Sequence, residues 1–274
     1  MLIPVYSIAK SFTAAAVITT GISLDSAVGD YLDCPATTKG LSVRSLLNHT
    51  SGLPDYGAWP EYRAAVAARE VAWTADEFLD RARKMPLQPG PFAYSNIGYG
   101  LVRLLLQQVT NQPDLFKVLQ HTLFAELGMH EVAPLLTTSD WLRAAPSTSD
   151  VSDYDPGWVF TGTFLASVES IETGYCSLLR GELFDPALLL DVVHVDAPGH
   201  VMQEPGYGLG LMASGRPPQV VGHGGGGPGY TIAALVKRDG SAAAVEWAPA
   251  EVSDQPLFRA ALDRLSHHSS AVIA

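Results

Sequence analysis

The chain has 274 residues, 47% of them hydrophobic and 16% charged, enough to bury a substantial core and unlike a disordered polyelectrolyte. With 17 Lys and Arg against 28 Asp and Glu, the formal charge is −11 and no basic stripe is present, which excludes phosphate-driven nucleic-acid binding. Two cysteines, Cys34 and Cys176, are too few for a disulfide framework, and no apolar run reaches the roughly 20 residues of a membrane span.

Residues 1–10 (MLIPVYSIAK) lack the basic start, apolar stretch and small cleavage residues of a signal peptide. The sequence as written therefore reads as cytoplasmic, and as periplasmic or secreted if a signal lies upstream. Residues 7–20 (SIAKSFTAAAVITT) predict a buried helix, with Ser7 in the N-cap position and Gly21 as its stop. Helical patterns follow at 42–49, 60–69 and 74–84, the last opened by a capping box, Thr74-Ala-Asp-Glu77. Residues 86–91 read as a loop, 97–110 as an amphipathic helix and 113–127 as another. Residues 139–156 read as polar surface loop, and 171–180 and 186–193 as short helices. Four strands are predicted at 205–212, 219–223, 230–238 and 242–247, with Asp239-Gly240 turning between the last two. A closing helix covers 254–265, and His267-His268 fall in a tail expected to fray.

Three motifs carry chemistry. Ser7-Ile-Ala-Lys10 places a hydroxyl and an amine on one helix face, and a lysine in apolar surroundings is disfavoured as a cation, so it can act as a base. Tyr94-Ser95-Asn96 precedes a helix. A phenol beside a cationic lysine is expected to have a lowered pKa and serve as a base, and Asn96 offers both a donor and an acceptor. The run Gly222-His223-Gly224-Gly225-Gly226-Gly227 fits the dinucleotide pattern G-x-G-x-x-G by letter only. A strand-like run (TIAALV) follows it, so no helix start is available for a pyrophosphate. The alternative is a strand edge that substrate backbone approaches closely, with a free N–H for an oxyanion.

In this order the motifs resemble those of the serine β-lactamase and penicillin-recognising hydrolase superfamily. The resemblance is to the branch of class C β-lactamases, D-alanyl-D-alanine carboxypeptidases, D-amino-acid amidases and β-lactamase-like carboxylesterases. YSIAKSFTAAA, LLNHTSGLP, PGPFAYSNIGYG and FAELGM are also similar to that family. The resemblance implies an α+β, β-lactamase/transpeptidase-like fold, an antiparallel sheet flanked by helices plus a helical domain. Residues 1–24 and 157–274 would form the sheet domain, and 25–156 the mostly helical domain carrying Tyr94. It implies that Ser7 is acylated, that Lys10 and Tyr94 share the acid–base work, and that Asn96 holds the substrate carbonyl or Lys10. It further implies that His223 lines the pocket opposite Tyr94, with Gly225 beside it, and that the amides of Ser7 and Gly226 form the oxyanion hole. The activity implied is hydrolysis of a small ester or amide. The alternative is a β-lactamase, or a slowly acylating penicillin-binding or sensor-like protein.

The sequence departs from the family in three places. His223 replaces a lysine, so a fixed cation for a substrate carboxylate becomes weaker or pH-dependent. Gly224 replaces a Thr or Ser that would bond the same carboxylate. Only six residues precede Ser7, where the family places two strands and a helix, so the last strands would leave an open edge; the expectation is that the start lies upstream, that the domain is a minimal form, or that a second copy in a homodimer covers the edge. The remaining histidines show no metal-ligand spacing, and no metal or cofactor is expected. His49 is expected to make a structural hydrogen bond, and the two cysteines to pack as small hydrophobes. Tyr154, Trp158 and Phe160 would either pack or shape the acyl site.

Overall fold

Two antiparallel sheets organise the chain in the computed structural model, which describes residues 1–34, 36–88 and 90–270, without the side chains of 268–270. A small sheet has β1 (Ile3–Pro4) and β2 (Val132–Pro134) on either side of β3 (Phe164–Ala166). The main sheet runs in order β4 (Val193–His194), β5 (Gly206–Tyr207), β6 (Met212–Ser214), β7 (Val220–Gly227), β8 (Tyr230–Lys237) and β9 (Ala243–Ala248). The helices are α1 (Ala9–Thr19), α2 (Ala36–Lys39), α3 (Val43–Leu47), α4 (Pro60–Ala67), α5 (Ala75–Ala82), α6 (Asn96–Thr110), α7 (Leu115–Thr122), α8 (Val168–Arg180) and α9 (Gln255–Ser270).

Strand β8 is apolar from Ile232 to Val236 because both faces are covered. Ile232, Ala234 and Val236 join the large core that includes α1 and α8, whereas Ala233 and Leu235 meet Phe258, Ala261 and Leu265 of α9. Every residue of α1 from Ala9 to Val17 is buried, as expected of a helix apolar all round.

The main sheet has β4 at one edge and β9 at the other, and β9 is the longer of the two. Along it, Ala243, Val245 and Trp247 turn their amides and carbonyls outward, because Lys237 N–H donates to Ala242 and sets the alternation. The central pair of groups is capped. Glu172 of α8 accepts the Val245 N–H at 3.0 Å, and Arg264 of α9 donates to its carbonyl at 3.0 Å. The two side chains come from opposite faces of the sheet and meet at 3.0 Å.

Several expectations change. Residues 205–212 do not form one strand. Gly210, at φ +71, turns the chain between β5 and β6, where a Cβ would lie 2.5 Å from the Lys10 carbonyl. Residues 186–193 are a single 3-10 turn, Pro186–Leu188, running on into β4. The run at 113–127 is helical only over Leu115–Thr122, and part of the 139–156 loop is a 3-10 helix, Thr138–Arg143. The glycine run belongs wholly to β7 and is followed by a strand, consistent with rejecting a dinucleotide site. His267 sits in α9 rather than in a frayed tail, and the side chain of His268 lies outside the described residues, as does Pro89 of the 86–91 loop.

Candidate active site

Ser7 is not the N-cap. It lies in a 3-10 turn, Tyr6–Ile8, and α1 is capped at Ile8 with no side-chain bond. That frees the hydroxyl for other partners, and Lys10, three residues on in the first turn of α1, lies on the same face. Lys10 Nζ lies 2.8 Å from Ser7 Oγ, and the Tyr94 hydroxyl donates to the same oxygen at 3.2 Å. Lys10 is fully buried, beneath the rings of Tyr94 and Tyr99. Burial lowers its pKa to about 7, against an opposing pull from Asp55. Burial pushes the Tyr94 phenol up rather than down, outweighing its bond to Ser7, so the expected lowered phenol is corrected.

Tyr94 is held from both sides. Ser95 caps α6 by accepting the Gly98 N–H, and its own hydroxyl donates to the Pro54 carbonyl at 2.8 Å. The Ser95 N–H donates to Nδ1 of His49, whose ring packs 4.3 Å from that of Tyr94. This is the structural bond expected of His49, and burial keeps that imidazole neutral. Asn96 does not reach Lys10. Its side-chain amide donates to Asp55 at 3.0 Å. Asp55 escaped the sequence reading, and its one signal was its place directly after the LLNHTSGLP run.

The other wall is β7. Arg238 N–H donates to the Gln219 carbonyl, so the odd residues of β7 bond to β8 and the amides of Gly224 and Gly226 face the opposite edge. Strand β6 covers that edge only as far as Gly222, leaving Gly226 open beside the Tyr6–Ile8 turn. A Cβ on Gly225 would lie 2.6 Å from the Val5 carbonyl and 3.3 Å from the Ser7 amide. The close approach that requires glycine is therefore made by the chain's own turn around Ser7. Tyr6, at φ +43, is part of that contact. Its ring covers Gly227 and its hydroxyl donates to the Pro228 carbonyl at 2.6 Å. A bulky residue held in this region costs on the order of 1–3 kcal/mol, offset here by these contacts.

His223 faces Tyr94 with ring centroids 6.2 Å apart, on the expected side. Both its nitrogens are occupied. Nδ1 donates to the Gly224 carbonyl, so Nε2 is the acceptor for the Tyr207 hydroxyl at 2.8 Å. Burial, with Lys10 adding to it, lowers its pKa to about 3, so it is neutral at physiological pH and supplies no pH-dependent cation near neutrality. Ser7, Tyr94, His223 and residues 224–227 line one open cleft of about 470 Å³, closed on the far side by residues 251–254. Thr231 anchors that far wall, bonding Ala250 and Val252 and placing Glu251 and Asp254 on the cleft. Tyr154, Trp158 and Phe160 are buried elsewhere, with Phe160 stacked on Phe78 at 4.4 Å, so packing accounts for them. Among the described residues, no group of three or more His, Cys, Asp or Glu side chains is placed to hold a metal.

The family profile for Beta-lactamase matches residues 1–248. The chain belongs to this family. It is 28% identical over 229 residues to penicillin-binding protein 4* of Bacillus subtilis (strain 168), matching 70% of this chain but about half (48%) of that protein's length. The fold is similar to that of a D-stereospecific amidohydrolase from Streptomyces sp., with TM-score 0.80, 26% identity and coverage of 95% of this chain and 86% of that one. D-amino acid amidase from Ochrobactrum anthropi SV3 superposes at TM-score 0.79 and 23% identity, covering 100% and 85% of the two chains. These structures put the chain on the β-lactamase/transpeptidase-like fold. No helix among the described residues is long and apolar enough to cross a membrane.

Proposed function

We propose that this chain is a serine hydrolase that opens a small ester or amide through an acyl-Ser7 intermediate. The observation that carries the reading is one oxygen, Ser7 Oγ, within hydrogen-bonding reach of both a buried lysine and a buried phenol. Neutral Lys10 takes the Ser7 proton as Oγ adds to the carbonyl carbon, and the amides of Ser7 and Gly226 receive the oxyanion. The tetrahedral adduct collapses, breaking the bond to the leaving oxygen or nitrogen. That atom takes the Tyr94 proton, which Lys10 replaces. Water then repeats the sequence on the acyl-enzyme in reverse.

The charge of the cleft supports an esterase or amidase over a β-lactamase. The lining residues include Glu251 and Asp254 and no Lys or Arg, and His223 is neutral, so nothing there pairs with a substrate carboxylate. The test is intact-protein mass spectrometry after a fluorophosphonate, a penicillin and a neutral alkyl ester, on the wild type and on Ser7→Ala. The expected result is a fluorophosphonate adduct and ester turnover that both vanish in Ser7→Ala, with little penicillin adduct. An adduct that persists in Ser7→Ala would overturn the assignment.

A further inference from the structure

Behind the catalytic cleft lies a second, more enclosed cavity of about 130 Å³. Its walls include Phe92, Tyr94, Val195, Met202, Tyr207 and Met212. Tyr94 and Met212 also line the cleft, so these two side chains are the partition between the spaces. Few polar atoms of the walls face the cavity. The Tyr94 hydroxyl is bonded to Ser7 and the Tyr207 hydroxyl to His223, while His200, also on the wall, has its Nδ1 taken by the Met202 N–H at 3.1 Å. What remains facing the cavity is ring and aliphatic surface.

We infer that this cavity is the subsite for an apolar leaving group, entered past Met212. The inference rests on the hydrolase reading above. In that reading the oxyanion lies on the β7 side, while the leaving atom lies beside its proton donor, Tyr94, whose ring is a cavity wall. Met212 is half-buried, unbranched and rotatable, so its side chain can move off the partition. An apolar cavity of about 150 Å³ in another protein holds benzene, so about 130 Å³ accepts a branched group of three or four carbons and, at the limit, a phenyl ring. The substrate class is therefore an ester or amide of a small apolar alcohol or amine.

The test is a series of alkyl esters of one acid, from methyl to isobutyl, then benzyl and 1-naphthylmethyl, whose alcohols differ little in leaving ability. The expected result is a kcat/KM that rises about fourfold per added methylene to isobutyl and collapses at 1-naphthylmethyl. Ala197→Leu, which fills the cavity from its rim, should flatten the rise, and Met212→Ala, which removes the partition, should extend acceptance to the larger ring. A series flat in the wild type, a slope unchanged by both variants, or a cut-off that follows the acid instead of the alcohol overturns the subsite. Fluorophosphonate labelling of Ser7 separates the two readings. Labelling with a flat ester series removes the subsite alone, and absence of labelling removes the hydrolase.

Discussion

At the residue scale, the proposed chemistry turns on a fully buried lysine. In the proposed reaction neutral Lys10 is the base, and with its pKa held at about 7 the acylation rate should climb tenfold per pH unit below that value and level off above it. The neighbours do not blur the profile. Burial keeps His49 and His223 uncharged and Tyr94 and Tyr99 protonated, and Asp55 acts only by opposing the shift. A kcat/KM profile from pH 5 to 9 should therefore show a single ascending limb, and Lys10→Met should lose that limb along with 10²–10⁴ of the rate. A profile of Lys10→Met that keeps its midpoint would assign the base elsewhere. Gly225 offers a steric test. Gly225→Ala inserts a methyl against the Val5 carbonyl and the Ser7 amide, and should cost more than tenfold in kcat/KM, since displacing reacting groups by about 1 Å costs about 100-fold. A melting curve measured on the same variant separates this from global unfolding.

At the scale of elements, the edge of β9 carries the clearest prediction. A free strand edge is a pairing hazard, and here the capping of Val245 by Glu172 and Arg264 blunts its centre. Glu172→Ala with Arg264→Ala should expose those groups and raise self-association, read as a concentration-dependent rise in mass by light scattering. A double variant that scatters like the wild type at every concentration would show that the cap does not guard the edge. The expected homodimer over this edge would have to displace the cap. Neither Glu172 nor Arg264 was legible as a cap, because strand, α8 and α9 meet only after folding. Long helices were legible because apolar period and capping agree, as at Thr74, whose capping box with Glu77 forms as read. The two- and three-residue strands β1, β2 and β3 were not, because so few residues carry no period. The serine, lysine and tyrosine could be read from motif order. Asp55 could not, since its contact with Asn96 spans 41 residues and depends on the turn at His49.

At the scale of the whole molecule, the formal charge of −11 sets a field as well as a solubility. Added salt shortens the reach of that field, so kcat/KM for an ester carrying a carboxylate should rise between about 10 and 150 mM salt. For one carrying an ammonium group it should fall, and for a neutral ester of the same size it should stay level. Three parallel responses would mean that the net charge does not reach the cleft. The sheet also divides the interior, with α1 and α8 on one face and α9 on the other, and the reactive residues stand on the first side.

The bond from the Tyr6 hydroxyl to the Pro228 carbonyl joins the turn that carries Ser7 to the tip of the β7–β8 hairpin. In the proposed reaction this bond ties Ser7 to the strand that carries Gly226, so a fluctuation that opens the hairpin tip would withdraw both amides together. In hydrogen exchange, the amides of Ser7 and of the hairpin tip should report one shared opening free energy, and Tyr6→Phe should split it in two.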